Sequence, residues 1–325
     1  MGTREVALGA IEGRPGAFWS RLGRSDQQAL WAMGRRVEVP PGGMLCHQGV
    51  ASPAVIVLFP APTRTTGRIL AKEFVANGEG DESVIELFGA GDLVAGLAPW
   101  GRPQRATVAA LDHVAALRVD RRQFGGLLAA NPQVAAAAMD AFAQRDTYSG
   151  RRHAVHVADH PQRLAHHLLE LAHRFGDPVP HPLAALAPHL LSASAQPSPD
   201  AAQHSSGASA QHGPDAAAPY GRDGQAARGS HGNGTAPPGI AIAVPSRLSQ
   251  ADLANWAGVS RETLVRWYRR WRSKGILLPR PLTLLDPEAL RREAAPWGDE
   301  WPAVPAREDG PEPEPDPGRP AGLAR

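Results

Sequence analysis

The stretch LSQADLANWAGVSRETLVRWYRRWRSKGIL, Leu248 to Leu277, decides the fold. Ser249 with Asp252 three residues on is a helix-opening capping pair, and Leu253, Ala254 and Ala257 give the short helix that follows one apolar face. Gly258-Val259 ends it. Ser260 is a second N-cap, after which Leu264, Trp267, Tyr268 and Trp271 recur at three- and four-residue spacing along a buried stripe. Arg261, Glu262, Val265, Arg266 and Arg269 take the other face. Between Gly258 and Gly275 six basic residues stand against one acidic residue, about five positive charges net on a short helix. That is the charge distribution of a surface that meets DNA.

Two short helices joined by a tight glycine turn are a helix-turn-helix, whose second helix enters the major groove with its first residues at base edges. Arg261 and Glu262 occupy that first turn. Arginine forks onto guanine N7 and O6 and glutamate accepts from cytosine N4, each good contact discriminating by roughly 1–3 kcal/mol. Arg266 is near enough to the same face to reach a neighbouring base, while Arg269 and Arg270 suit phosphates. A solvated basic helix packed on a core is the bland alternative, and the agreement of caps, turn glycine, apolar stripe and basic face argues against it.

The run Ser260-Arg261-Glu262-Thr263-Leu264, with Arg266 two residues on, resembles the recognition helix of the Crp/Fnr family of bacterial transcription regulators. That family reads S-R-E-T-(V/L)-x-R here, preceded by L-(S/T)-x-x-(D/E)-L-A and a turn glycine, matched by Leu248, Ser249, Asp252, Leu253, Ala254 and Gly258. The resemblance extends from about Phe18 to Leu290 and is strongest in this segment. It implies that Arg261, Glu262 and Arg266 read bases; Ser260, Thr263 and Val265 are expected to share the DNA face with them. It also implies a homodimer on a palindromic site of GTGA-like halves, with double-stranded DNA and RNA polymerase as partners. The implied fold class is α+β: a jelly-roll-like cyclic-nucleotide-binding-type domain, a long dimerisation helix and a C-terminal winged helix-turn-helix.

Composition sets outer limits. A chain of 325 residues with 42% apolar content holds two domains with ordinary cores, and a net charge of +2 makes the basic character local. Cys46 is the only cysteine, so no intramolecular disulfide and no cluster held by several cysteines of one chain is expected. No apolar run approaches eighteen residues and Met1 to Gly13 has no signal core, so the expectation is a cytoplasmic protein without a membrane partner.

In chain order, Ser25 to Gln28 opens a short helix, and strands follow at Arg36 to Val39 and Met44 to His47 around the turn Pro40 to Gly43. Apolar runs then alternate with Pro, Gly and Asp turns up to about Asp120: Val55 to Phe59, Ile69 to Val75, Val84 to Phe88, Leu93 to Leu97, Ala106 to Leu111 and Val114 to Val119. That is the spacing of an all-β barrel or jelly roll. A sensor domain is therefore expected over 15–131. Asn131-Pro132 caps a long helix with Val134, Ala138, Ala141 and Phe142 on one side, which the resemblance makes the dimer helix, 132–157. The DNA-binding domain is expected over 158–295, interrupted by a segment at 192–239 in which 21 of 48 residues are Ser, Gly or Pro. Such a segment buries too little to offset its ordering entropy and reads as disordered. A hairpin wing is expected around Pro279-Arg280-Pro281, with Arg280 at its tip as a phosphate contact. The Pro- and acid-rich remainder, 296–325, reads as a disordered tail.

PPGGMLCHQG, Pro40 to Gly49, and Gly89 to Thr107 look like the entry and the phosphate cassette of cyclic-nucleotide-binding domains. In the family a Gly-Glu pair meets the cyclic phosphate and the ribose hydroxyl, and an Arg-Ser pair binds phosphate oxygens. The matching positions here are Gly91, Ala95, Gly96, Leu97, Arg105 and Ala106. Gly96 stands where the Glu would be and Ala106 where the Ser would be, so only Arg105 survives. No cofactor follows with certainty: a cyclic nucleotide is the one candidate, and an altered ligand or none is the reading favoured over ordinary cyclic AMP.

Other chemistry is weaker. His156/His160 or His166/His173 could share a helix face, but no cysteine is near and carboxylates are sparse, so no metal is assigned. A lone Cys46 in a strand is expected to be structural. No nucleophile-base pattern, P-loop or paired-carboxylate signature stands out, so no catalytic residue and no enzyme is expected. A non-specific architectural DNA binder is the alternative from another class; it has no need of Glu262, which repels phosphate.

Overall fold

The apolar run Ala54–Pro60 is the centre of the first half of the chain. It forms strand β3, and its residues from Ala54 to Phe59 are all buried, because both faces of the strand are covered. The molecule is seen in a computed structural model that describes residues 13–62, 64–79, 82–181 and 240–296. The expected insertion at 192–239 and the tail beyond Pro296 lie outside the described residues.

Eight strands build two four-stranded sheets: β1 (Arg35–Val39), β2 (Met44–Cys46), β3, β4 (Ala71–Ala76), β5 (Glu82–Phe88), β6 (Leu93–Val94), β7 (Thr107–Ala110) and β8 (Val114–Asp120). One sheet has the order β1-β8-β3-β6, the other β2-β7-β4-β5, and the pairs are antiparallel, with Val57 opposite Leu117 and Glu73 opposite both Glu86 and Val108. Leu45, Ile56, Leu58, Phe88 and Val108 pack between the sheets. On the other side of the first sheet, Val55, Val57, Leu117 and Val119 meet Phe18 from the turn before Trp19, and Phe124 and Val134 from flanking helices. This is the expected jelly-roll-like domain.

Helix α1 is Arg24–Met33, but its N-cap is Gly23, with no side-chain cap. The expected opening at Ser25 to Gln28 is not used. Asp26 instead accepts a 2.7 Å hydrogen bond from Asn131 Nδ2, tying α1 to the start of the long helix. Asp120 caps α2 (Arg121–Ala130), accepting from the amides of Arg122 and Gln123, and Asn131 caps α3 (Pro132–Ala154) in the same way. At 23 residues α3 is about 35 Å long. A 3₁₀ turn, Val155–Val157, then leads to α4, His160–Phe175.

The second half carries β9 (Asp177–Pro180), β10 (Ile240–Val244), α5 (Gln250–Trp256), α6 (Arg261–Ser273), β11 (Leu277–Pro279), β12 (Leu282–Leu284) and α7 (Pro287–Ala294). The wing is more than the expected two-stranded hairpin: β11, β12, β10 and β9 form one sheet in that order. Asp177-Pro178-Val179-Pro180 has two prolines and is a strand all the same, because it lies at the sheet edge, where a proline's missing donor can face away from the ladder.

One apolar cluster joins the two halves. It contains Phe74, Val84 and Leu87 of the second sheet with Ile69 just before β4, Leu164, Leu168, Leu171 and Phe175 of α4, and Leu253, Trp256, Leu264, Tyr268 and Trp271 of the helix-turn-helix. Polar contacts stitch the same seam: Lys72 Nζ to Asp252 at 2.7 Å, Arg68 to Asp177 at 2.7 Å, and Asn255 Oδ1 accepting from the Val84 amide at 2.6 Å. The described residues on either side of 182–239 accordingly form one unit up to Val179 and from Ile240 onward. Among the described residues no helix is long and apolar enough to cross a membrane.

Candidate nucleic-acid interface

The helix-turn-helix is built as its sequence dictates. Ser249 Oγ accepts from the Asp252 amide at 3.0 Å and Asp252 Oδ2 from the Ser249 amide at 3.3 Å, closing the capping box of α5. Gly258 then turns with φ +63°, in the left-handed region where a side chain is strained. Ser260 Oγ accepts from the Thr263 amide at 3.2 Å and starts α6. Leu264, Tyr268 and Trp271 are buried beneath it, and burial pushes the Tyr268 phenol up from its ordinary value.

The opposite face is open. Ser260, Arg261, Glu262, Arg266, Arg269 and Arg270 are exposed and Thr263 is half-buried. Val265, expected on the DNA face, is half-buried and packs against the core cluster. Trp267 is likewise half-buried, and the Arg270 guanidinium stacks 4.9 Å over its ring, which holds Arg270 close to the helix. Arg266 Nη2 approaches Thr263 Oγ1 at 3.4 Å, so its fork lies along the first turn. The Glu262 carboxyl is held below its ordinary value by its own backbone amide, by the Ser260 hydroxyl and by Arg261. It is ionised and folded back on the cap.

Beside this face, a groove of about 480 Å³ runs between α5, the start of α6 and the wing. Arg247, Arg261 and Arg280 line it, with Ser249, Tyr268 and Leu282, and no carboxylate is among the lining residues. Arg261 and Arg280 thus meet at one site. The sequence reading missed Arg247, which precedes the helix-turn-helix; Pro245-Ser246 before it was the available signal for a turn that aims its side chain. Its Nε also lies 3.2 Å from Asp112, whose carboxylate accepts from the Thr66, Gly67 and His113 amides.

In the second set of expected residues only Arg105 has a polar side chain. Gly91 is a left-handed turn at φ +83° whose amide donates to the Leu58 carbonyl at 2.7 Å. Ala95 is buried with φ +58°, Gly96 lies under Phe142, and Leu97 precedes the 3₁₀ turn Ala98–Trp100. Arg105 is exposed and Ala106 is buried. Cys46 is buried between the sheets, and burial, aided by Glu73, pushes its thiol up to about 11, so it is protonated at neutral pH.

Residues 227–293 match the family model of the Crp-like helix-turn-helix domain. Solved structures share the fold. A CooA variant from Carboxydothermus hydrogenoformans is 15% identical with a TM-score of 0.52, covering 82% of this chain and 90% of its own. FixK2 from Bradyrhizobium japonicum is 14% identical with a TM-score of 0.51, covering 84% and 99%. A transcriptional regulator of the CRP family from Thermus thermophilus is 14% identical with a TM-score of 0.50, covering 83% and 99%. The C-terminal part of this chain is a Crp-like helix-turn-helix domain, and the chain as a whole shares the fold of these regulators. No curated protein matches its sequence. In this chain a double sheet and a long helix precede the helix-turn-helix, whose basic face points to solvent.

Proposed function

We propose that this protein is a cytoplasmic, sequence-specific transcription factor of the Crp/Fnr type that reads a palindromic site as a homodimer and acts with RNA polymerase. The observation that carries the reading is the open first turn of α6, where Arg261, Glu262 and Arg266 are exposed above a buried Leu264-Tyr268-Trp271 stripe. Arg261 and Arg266 supply guanidinium forks for base edges; Arg269, Arg270, Arg280 and Arg247 supply charge for phosphates. A dimer through α3 would present two such helices about 34 Å apart, one turn of DNA. The activity is binding, and no catalytic step is assigned.

A non-specific architectural binder would use the same cations. Glu262 favours the sequence reader, because an exposed carboxylate at the entering turn repels phosphate, whereas opposite a base donor such as cytosine N4 it accepts a hydrogen bond. Selection of bound duplexes from a random pool tests the reading: enrichment of an inverted repeat is the expected result, and a pool that stays random would overturn it.

A further inference from the structure

The fold family implies a nucleotide effector in the cleft between α3 and the segment from Gly89 to Ala106, and the residues present do not fit one. The cleft that Arg14, Phe88, Asp92, Phe142, Arg145 and Tyr148 line holds a cavity of only about 10 Å³. A single water needs about that much, and small-molecule sites run to roughly 300–1,000 Å³.

Its own side chains fill the space. Phe142 of α3 lies over Gly96 so closely that a Cβ there would stand 2.5 Å from the ring. A glutamate at this position, the family's ribose acceptor, has no room. Arg145, one turn on, puts Nη2 2.8 Å from Glu73 and its guanidinium 4.8 Å over the Phe88 ring. Arg14 closes the other side, with Nη2 3.0 Å from Asp92, while its amide donates to Ala90 at 2.9 Å and the Trp19 amide to Gly91 at 3.0 Å.

Charge points the same way. The carboxylates around the cleft, Glu73, Glu86 and Asp92, are each paired with arginines of this chain: Arg145, Arg152 with Arg174, and Arg14. A phosphate entering here would have to break those pairs and face the freed carboxylates. Arg105, the one surviving cassette residue, is exposed, and Ala106 offers no hydroxyl.

We infer that Phe142 and Arg145 are a built-in occupant of the effector cleft: they fasten α3 to the β-roll where a ligand would, and the protein binds DNA without a cyclic nucleotide. The ligand half stands on the cleft alone; the DNA half rests on the function proposed above.

The test uses the full chain. Thermal shift and titration calorimetry with cyclic AMP, cyclic GMP and cyclic di-GMP at up to millimolar concentration are expected to give a shift under about 1 °C and no saturable heat. DNA affinity is expected to change less than twofold on adding any of them. A saturable shift of several degrees would overturn the inference. Phe142→Ala and Arg145→Met are expected to lower the melting temperature and to weaken binding to the selected duplex at least tenfold. Variants that melt and bind like the parent chain would equally overturn the occupant role. Failure of the parent chain to bind DNA would count against the proposed function alone and leave the ligand result standing.

Discussion

Arg174 of α4 and Glu86 of β5 meet at 2.8 Å with side chains only 1% and 5% exposed, which pins the first helix of the DNA-binding half to the double sheet. Arg174 also binds Glu170 at 2.7 Å and donates to the Leu87 carbonyl at 2.8 Å, and Arg152 of α3 bridges the same two carboxylates at 3.0 and 2.7 Å. Burial alone would raise the Glu86 carboxyl, but Arg174, Arg152 and Arg145 hold it down at about 2. Arg174→Met leaves two buried carboxylates to one guanidinium and is expected to cost about 3–5 kcal/mol, measured by urea unfolding. A loss below about 1 kcal/mol would show that water enters the seam and solvates the pair.

Acid should weaken the same region. His167 is buried, its ring 4.9 Å from that of Trp256 in α5, with Nδ1 2.8 Å from the Arg163 carbonyl. Burial, then His166, with Arg152 and Arg163 adding to it, pushes its pKa down from 6.5 to about 3. The unfolded chain therefore takes up a proton that the folded chain refuses, and stability falls by about 1.4 kcal/mol per pH unit below 6.5 until about pH 3. Glu86 adds its own loss only below its ordinary 4.5, as pH falls toward 2. His167→Gln is expected to flatten the slope between pH 6 and 5. An unchanged slope in that window would assign the proton uptake elsewhere.

Ala95 is buried in the left-handed region at φ +58°, which disfavours any residue with a Cβ by roughly 1–2 kcal/mol. Glycine recovers this strain but loses about 0.5–1 kcal/mol in chain entropy. Ala95→Gly should thus be neutral or stabilising by up to about 1.5 kcal/mol, read as a rise in melting temperature. A clear loss would mean that the methyl group's packing outweighs the backbone strain.

The helix-turn-helix was legible because each of its signals is local: Ser249 with Asp252, Gly258, Ser260 and the Leu264-Tyr268-Trp271 stripe act within a few residues of one another. The β-roll strands were legible as apolar runs between turn residues. What escaped depends on distant partners. Strand β9 hides behind two prolines and needs β10, far along the chain, to pair with it. The groove needs Arg247 to meet the wing, and Phe142 covers Gly96 only once α3 lies across the sheet. Val265 was placed by helical period alone, which ignores how far the apolar floor climbs the side of α6.

The most direct test of base reading by α6 compares the full chain with its Arg266→Ala and Arg280→Ala variants on a selected duplex and on random DNA, in competition at fixed salt. Arg266→Ala is expected to lose about 5- to 150-fold on the selected duplex, the equivalent of roughly 1–3 kcal/mol, and less than threefold on random DNA. Arg280→Ala is expected to weaken both alike and to lower the salt dependence by about one counterion. Equal losses on both duplexes for Arg266→Ala would contradict sequence reading by this helix.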